Sequence, residues 1–383
     1  MADNPFVYGE IVTDAAFADR EIERDRLARD LLAGQKVFLI SPRRYGKSSL
    51  VRWVLRSLAR QGLLTVEVTV AASSSYVGFL EAYARALLVA DTPAGRVRQW
   101  AAELFSTIRP EIRIDTDVPG PPRIALGFPS IHRERDVARL AGEVFALPGR
   151  IAAARKRRLA IALDEFQAVT TFGDDSVEHA LRAAVQDQRQ VGYVFAGSEP
   201  SLMERMLTSR RPFYKAGPVM RLEKIAPDDF AAFLEGRFAA TGRRPEPGLG
   251  AAIVDLAGNV PYDVQRLAHE MWDDVRAAGR RTATVEDLHT TLTRLLVEQG
   301  PMFEDAWQRL TLAQRAVLRA VVLEDGRELL GADVRARHRL STASSVQSTL
   351  GALVRADLIA RHGPRRYVVT DSLFREWVAR QTY

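Results

Sequence analysis

The stretch "FLISPRRYGKSSLV", residues 38–51, decides how this chain is read. "KVFLI" (36–40) is a short apolar run of strand type, and "SSLVRWVLRSLAR" (48–60) has helical spacing at Leu50, Val54 and Leu58. The turn between them matches G-x-x-x-x-G-K-S/T at every fixed position but the first. Such a turn aims backbone N–H groups at phosphate oxygens and leads into a helix N-terminus. Gly46 lets the backbone approach without a Cβ in the way. Lys47 would reach the β and γ phosphates, and Ser48 would place its hydroxyl on Mg²⁺. Pro42, Arg43, Arg44, Tyr45 and Ser49 complete the loop. Ser41 stands where the pattern begins with glycine. A first-position glycine eases the turn but supplies no side-chain chemistry, so Ser41 leaves the working residues intact. Among 54 basic residues only five are lysines, and one of them is Lys47.

A phosphate loop needs a metal-orienting carboxylate on a neighbouring strand. "RRLAIALDEFQAV" (157–169) supplies one: an apolar run from Leu159 to Leu163, of the kind covered on both faces in a parallel sheet, ends in Asp164-Glu165. Asp164 would hold Mg²⁺, and Glu165 would polarise the attacking water as general base. The plainer alternative is a buried strand whose end meets solvent at two acids. "VGYVFAGSEP" (191–200) reads as a third strand, with Ser198 at its end placed to sense the γ-phosphate, or as an ordinary Gly-Ser turn.

Together these segments resemble the AAA+/STAND-type P-loop ATPases known as the archaeal-type ATPase family. The resemblance runs from about residue 4 to the C-terminus through "NPFVYG" (4–9), "FADRE" (17–21), "SPRRYGKSSL" (41–50), "LDEFQ" (163–167), "AGSEPSLMERM" (196–206), "RPFYKAG" (211–217), "GNVPYDVQRLAHEMW" (258–272) and "DSLFREWV" (371–378). It implies binding and hydrolysis of ATP with Mg²⁺. It makes Phe17 and Arg20 candidates for the adenine side. It makes Arg210 and Arg211 candidates for an arginine acting on a neighbouring subunit's γ-phosphate, in an ATP-dependent homo-oligomer. The plainer alternative for the two arginines is a helix cap or a pairing with lid acids such as Asp228 or Asp229. "GNVP" resembles the lid motif of the STAND group, with Pro261 toward the nucleotide and one residue more than the common Gly-x-Pro. Arg266 reads as a surface arginine or a phosphate sensor.

The chain has 383 residues, enough for two or three domains. The absence of cysteine excludes disulfides and thiolate metal sites and suits a reducing cytoplasm. No signal design opens the sequence and no long apolar run crosses it, so neither export nor a membrane span is expected. Six histidines form no zinc-type spacing. The net charge is +6, and residues 311–383, with twelve arginines against seven acids, hold most of that excess.

Strand–helix alternation over residues 1–222 predicts a doubly wound α/β core of P-loop type. "EIRIDTD" (111–117) and "RIALGF" (123–128) read as a β-hairpin inserted into that rhythm, either decorative or a contact device. Residues 223–300 read as a helical lid, with Asp228 and Thr284 as helix caps. Residues 301–383 read as a winged helix. Its third helix (341–359) buries Val346, Leu350, Leu353 and Val354 and presents Ser344, Ser345, Gln347, Ser348 and Arg355. Its wing carries Arg361, Arg365 and Arg366. Two functions follow. One is an ATPase whose ATP/ADP cycle moves the winged helix on DNA. The other is a signalling switch whose winged helix docks a separate protein partner.

Overall fold

The computed structural model describes residues 3–9, 20–90, 96–105, 110–115, 123–128, 133–173, 175–363 and 365–381. The chain divides into two compact units, one of residues 11–224 and one joining 1–10 to 225–383.

In the first unit the elements run α1 (Glu21–Leu32), β1 (Lys36–Ile40), α2 (Lys47–Arg60), β2 (Leu64–Thr69), α3 (Tyr76–Val89), α4 (Val97–Leu104), β3 (Glu111–Asp115), β4 (Arg123–Gly127), α5 (Glu134–Arg155), β5 (Leu159–Asp164), α6 (Ser176–Gln186), β6 (Val191–Gly197), α7 (Pro200–Met206) and β7 (Val219–Arg221). Five strands form a parallel sheet in the order β2-β5-β6-β1-β7. Strand β1 alternates between two apolar layers: Phe38 and Ile40 join the layer that holds α3, α5 and α6, while Val37 and Leu39 join the one with α1 and α2. Strands β5 and β6 are buried along their whole length, as expected for strands covered on both faces. Leu50, Val54 and Leu58 of α2 are fully covered, so the helical spacing read from the sequence is its packing stripe.

Strands β3 and β4 pair antiparallel, Glu111 opposite Gly127. The hairpin lies outside the main sheet. It is seated on α3 by Leu126 and Phe128, both buried, and by the Glu81 carboxylate, which accepts from the Phe128 N–H at 3.0 Å. The segment between the strands, "VPGPP" (118–122), lies outside the described residues.

The second unit runs α8 (Pro227–Ala240), β8 (Arg244–Pro245), α9 (Leu249–Leu256), α10 (Pro261–Ala277), β9 (Thr282–Ala283), α11 (Val285–Gln308), α12 (Leu312–Leu323), α13 (Ala332–Arg337), α14 (Ala343–Arg355), β10 (Ile359–Arg361), β11 (Tyr367–Val369) and α15 (Ser372–Ala379). Residues 4–8, read from the sequence with the α/β core, pack here. Asn4 Nδ2 donates to the His269 carbonyl at 3.0 Å and the Tyr8 hydroxyl to Glu270 at 2.5 Å. Phe6, 1% exposed, meets Phe238 at 4.8 Å.

Thr284 caps α11 through a capping box with Asp287. Asp228 is not a cap: Ala226 holds that position, Pro227 opens α8, and Asp228 sits in the first turn, where its charge favours the helix dipole. Helix α11 runs without a break through residues 300 and 301, the boundary read from the sequence. Strands β10 and β11 form the wing. Helix α15 is fixed by an aromatic cluster of Phe303, Trp307, Phe374 and Trp377. Arg375 donates to the Leu256 carbonyl at 2.9 Å, and buried Asp263 accepts from the Ser372 N–H at 3.3 Å. Val354 is exposed rather than buried: three residues after Gly351, it lies off the stripe formed by Val346, Leu350 and Leu353. Among the described residues no helix is long and apolar enough to cross a membrane.

Candidate nucleotide site

Strand β1 delivers the chain to the loop. The Ser41 N–H donates to the Gly197 carbonyl at 3.1 Å, extending the ladder one residue past β1. Ser41 is fully buried, and its hydroxyl donates to the Pro42 carbonyl at 2.9 Å. Its φ is not positive, so the missing first glycine is not demanded by the backbone. The left-handed positions are Arg44 (φ 67°) and Gly46 (φ 84°), the residue before α2. Pro42, Tyr45, Ser48 and Ser49 are half-buried and Arg43 and Arg44 exposed.

Lys47 is 5% exposed. Its ammonium bridges two carboxylates, a close contact with Asp164 Oδ1 and one at 3.3 Å with Glu165 Oε1. Ser48 Oγ donates to Asp164 Oδ2 at 2.9 Å. Loop and strand β5, read separately in the sequence, therefore meet through Lys47, Ser48, Asp164 and Glu165. Glu165 sits at φ 52°, unusual for a residue with a side chain, directly after β5. Its Oε2 accepts from Ser198 Oγ at 2.5 Å and from Gln167 Nε2 at 2.6 Å. Burial pushes the Glu165 carboxyl up, but the Ser198 hydrogen bond, the Lys47 charge and Gln167 outweigh it and hold it below the usual value.

The Arg20 guanidinium donates to Glu23 at 2.9 Å and to the Glu223 carbonyl at 2.6 Å. Tyr45 lies within electrostatic reach of Arg20 and Glu223. Phe17 lies outside the described residues. Arg211 is held by Asp175 and Glu178, at the start of α6, and not by Asp228 or Asp229. Arg210 is exposed. Pro261 opens α10 in the second unit, and Arg266 of that helix lies over the Tyr8 ring at 6.0 Å. The residue the sequence reading passed over is Gln167, the last letter of "LDEFQ". It is 5% exposed, and a buried amide beside two acids was the available signal.

The donor set fits Mg²⁺. Ser48 and Asp164 offer two hard oxygens side by side, which suits an ion that takes its other ligands from phosphate and water. Among the described residues no group of three or more potential metal-ligating side chains forms a separate site.

Residues 301–380 match the family model described as "Probable winged helix domain". The whole chain is similar to the Walker-type ATPase PABY2304 of Pyrococcus abyssi, with a TM-score of 0.60 at 15% identity, covering 95% of this chain and 96% of that one. This is the fold of the AAA+ P-loop ATPases. The Orc1 protein of Aeropyrum pernix, solved in complex with DNA, is also similar, with a TM-score of 0.52 at 14% identity over 95% of this chain and 92% of that one. A comparison with curated proteins finds no match. A core with the fold of P-loop ATPases and a C-terminal match to a winged helix domain thus occur in one chain.

On the winged helix, α14 exposes Ser344, Gln347, Ser348, Val354 and Arg355. Of the wing arginines, Arg361 and Arg365 are exposed, while Arg366 forms a two-point bond to Asp325 at 2.5 and 2.6 Å.

Proposed function

We propose that this chain binds and hydrolyses ATP in a Mg²⁺-dependent cycle whose state controls the winged helix in DNA binding or remodelling. The observation that carries it is the convergence of Lys47, Ser48, Asp164 and Glu165 at one point of the fold. Lys47 lies buried between two carboxylates, so incoming phosphates compete with Asp164 and Glu165 for its charge. Ser48 and Asp164 would hold Mg²⁺, which when bound neutralises phosphate oxygens. Glu165 orients and deprotonates water. Phe17 and Arg20 would serve the adenine, Ser198 would sense the γ-phosphate, and Pro261 would contact the nucleotide from the lid. Residues 11–222 act as core, 223–300 as lid, with residues 4–8 packed on it, and 301–383 as winged helix. Arg210 or Arg211 serves a neighbouring copy in an ATP-dependent oligomer.

The DNA reading draws support from the basic excess of the winged helix and from the similarity to Orc1, whose structure contains DNA. One observation favours the second reading, a protein partner: Val354 is exposed on the presented helix while Arg366 is tied to Asp325. Titration with duplex DNA at rising salt separates them. A DNA binder should lose affinity steeply, as phosphate contacts require. Absence of salt-dependent binding with ATP or ADP leaves the protein-docking switch. ATP turnover and particle mass with and without ATP test the cycle and the oligomer.

A further inference from the structure

Glu165 has two carboxylate oxygens in different surroundings. Oε2 accepts from Ser198 Oγ at 2.5 Å and Gln167 Nε2 at 2.6 Å. Oε1 faces only the Lys47 ammonium, at 3.3 Å, among the contacts described. Two donors saturate the first oxygen. The second is the one left available once phosphate draws away the Lys47 charge.

Gln167 is built into this arrangement. Its Nε2 also lies 3.4 Å from Ser198 Oγ, so amide and hydroxyl close a triangle on one carboxylate oxygen. Its orientation is dictated electrostatically. Turned end for end, the amide would set its carbonyl oxygen 2.6 Å from a carboxylate oxygen, with no proton between them. The consequence is that Gln167 Oε1 is buried without a hydrogen-bond partner. A buried acceptor left unpaired works against folding, and such groups are few in native structures. Space for it is made by Gly197, where a Cβ would fall 2.8 Å from Gln167 Oε1 and 2.4 Å from Met203 Sδ. An apolar side chain of the same length would avoid the unpaired oxygen but could not hold Glu165.

We propose that Gln167 is a positioning residue for the hydrolytic step: with Ser198 it pins Glu165 Oε2, and Oε1 is the oxygen that takes the proton from water. The inference rests on the ATPase reading above. In that step the water oxygen bonds to the γ-phosphorus, its proton passes to Glu165 Oε1, and the bond to the bridging oxygen breaks with its electron pair leaving on ADP.

The test is steady-state ATP hydrolysis by the full chain, comparing Gln167→Met with the parent. Met keeps the length and removes both polar atoms of the amide. A fall in kcat of about ten- to a hundredfold per ATP-binding site is expected, with KM little changed. A merely structural role would lower the melting temperature and the fraction of sites that bind ATP but leave kcat per binding site in place. ATP calorimetry counts those sites and establishes that the variant is folded. If it is not, Gln167→Asn, which keeps the amide but is one methylene too short, should show the same fall in kcat per binding site. A folded variant with unchanged kcat per binding site overturns the role of Gln167 while the ATPase reading stands. A parent chain that binds ATP without turning it over removes hydrolysis itself and this inference with it.

Discussion

The candidate nucleotide site and the presented face of the winged helix handle charge in opposite ways. At the first, Lys47, Asp164 and Glu165 come from two distant segments, and one ammonium is shared by two carboxylates in a largely buried cluster. At the second, all the presented residues come from one helix and one wing, and the charges are exposed or, like Arg366 with Asp325, paired at the surface. Buried charges tolerate few partners, so their identities narrow the chemistry to phosphate and metal. Exposed charges cost little to place and specify little. The difference explains why the residues point to an ATPase yet leave two partner classes for the winged helix.

The contrast is sharpened most by Glu165→Gln. The amide keeps the shape and the bonds from Ser198 and Gln167 can reorganise around it, but it cannot take a proton. ATP affinity should be retained and turnover fall by about 10²–10⁴. Turnover within a few-fold of the parent would move the base elsewhere. Lys47→Ala comes next, read as binding. Removing the ammonium leaves Asp164 and Glu165 facing the phosphates without compensation, so ATP affinity should drop roughly a hundredfold or more by calorimetry. Unchanged affinity would dissolve the site, and with it the contrast.

The same logic decides what the sequence made legible. The strand–loop–helix register around Lys47 was readable to within one residue, because the apolar run of β1 and the helical spacing on α2 are local signals of burial. The capping box at Thr284 was local too. What stayed hidden depends on partners far along the chain. Arg211 meets Asp175 and Glu178 across more than thirty residues, and Arg20 meets Glu223 across 203. No spacing rule announces such pairs. Asp228 was misplaced because Pro227 opens the helix and puts its cap at Ala226, two positions earlier. Val354 was misplaced because one step along a helix turns a side chain by about 100°.

Arg210 and Arg211 test whether the contrast extends to the subunit edge. Burial pushes the Glu178 carboxyl up, and Arg211 works against that shift. Arg211→Ala strands this acid, whose side chain is 2% exposed, and should cost roughly 3 kcal/mol of stability, seen in a denaturant titration. Arg210→Ala should leave stability unchanged. If Arg210 serves a neighbouring copy, its loss should abolish the rise of activity with protein concentration, and mixing with Lys47→Ala should restore part of it. Normal hydrolysis by both variants in a protein that stays monomeric with ATP would show a site that works alone.

The smallest effect belongs to Ser41, where the loop departs from the phosphate-loop pattern. If the first position held the phosphates, glycine there would change ATP affinity. The geometry argues otherwise. Ser41 continues the β1 ladder through its N–H, its φ is one any residue adopts, and its hydroxyl bonds the adjacent Pro42 carbonyl. The left-handed turn falls later, at Arg44 and Gly46. Ser41→Gly therefore removes a local hydrogen bond and adds freedom to the unfolded chain, together costing about 1 kcal/mol. The melting temperature should fall by a few degrees while ATP affinity stays within about twofold. A large change in affinity with little change in melting would mean that the Ser41 side chain reaches the nucleotide. The chemistry of the loop would then begin at its first residue and not at Gly46.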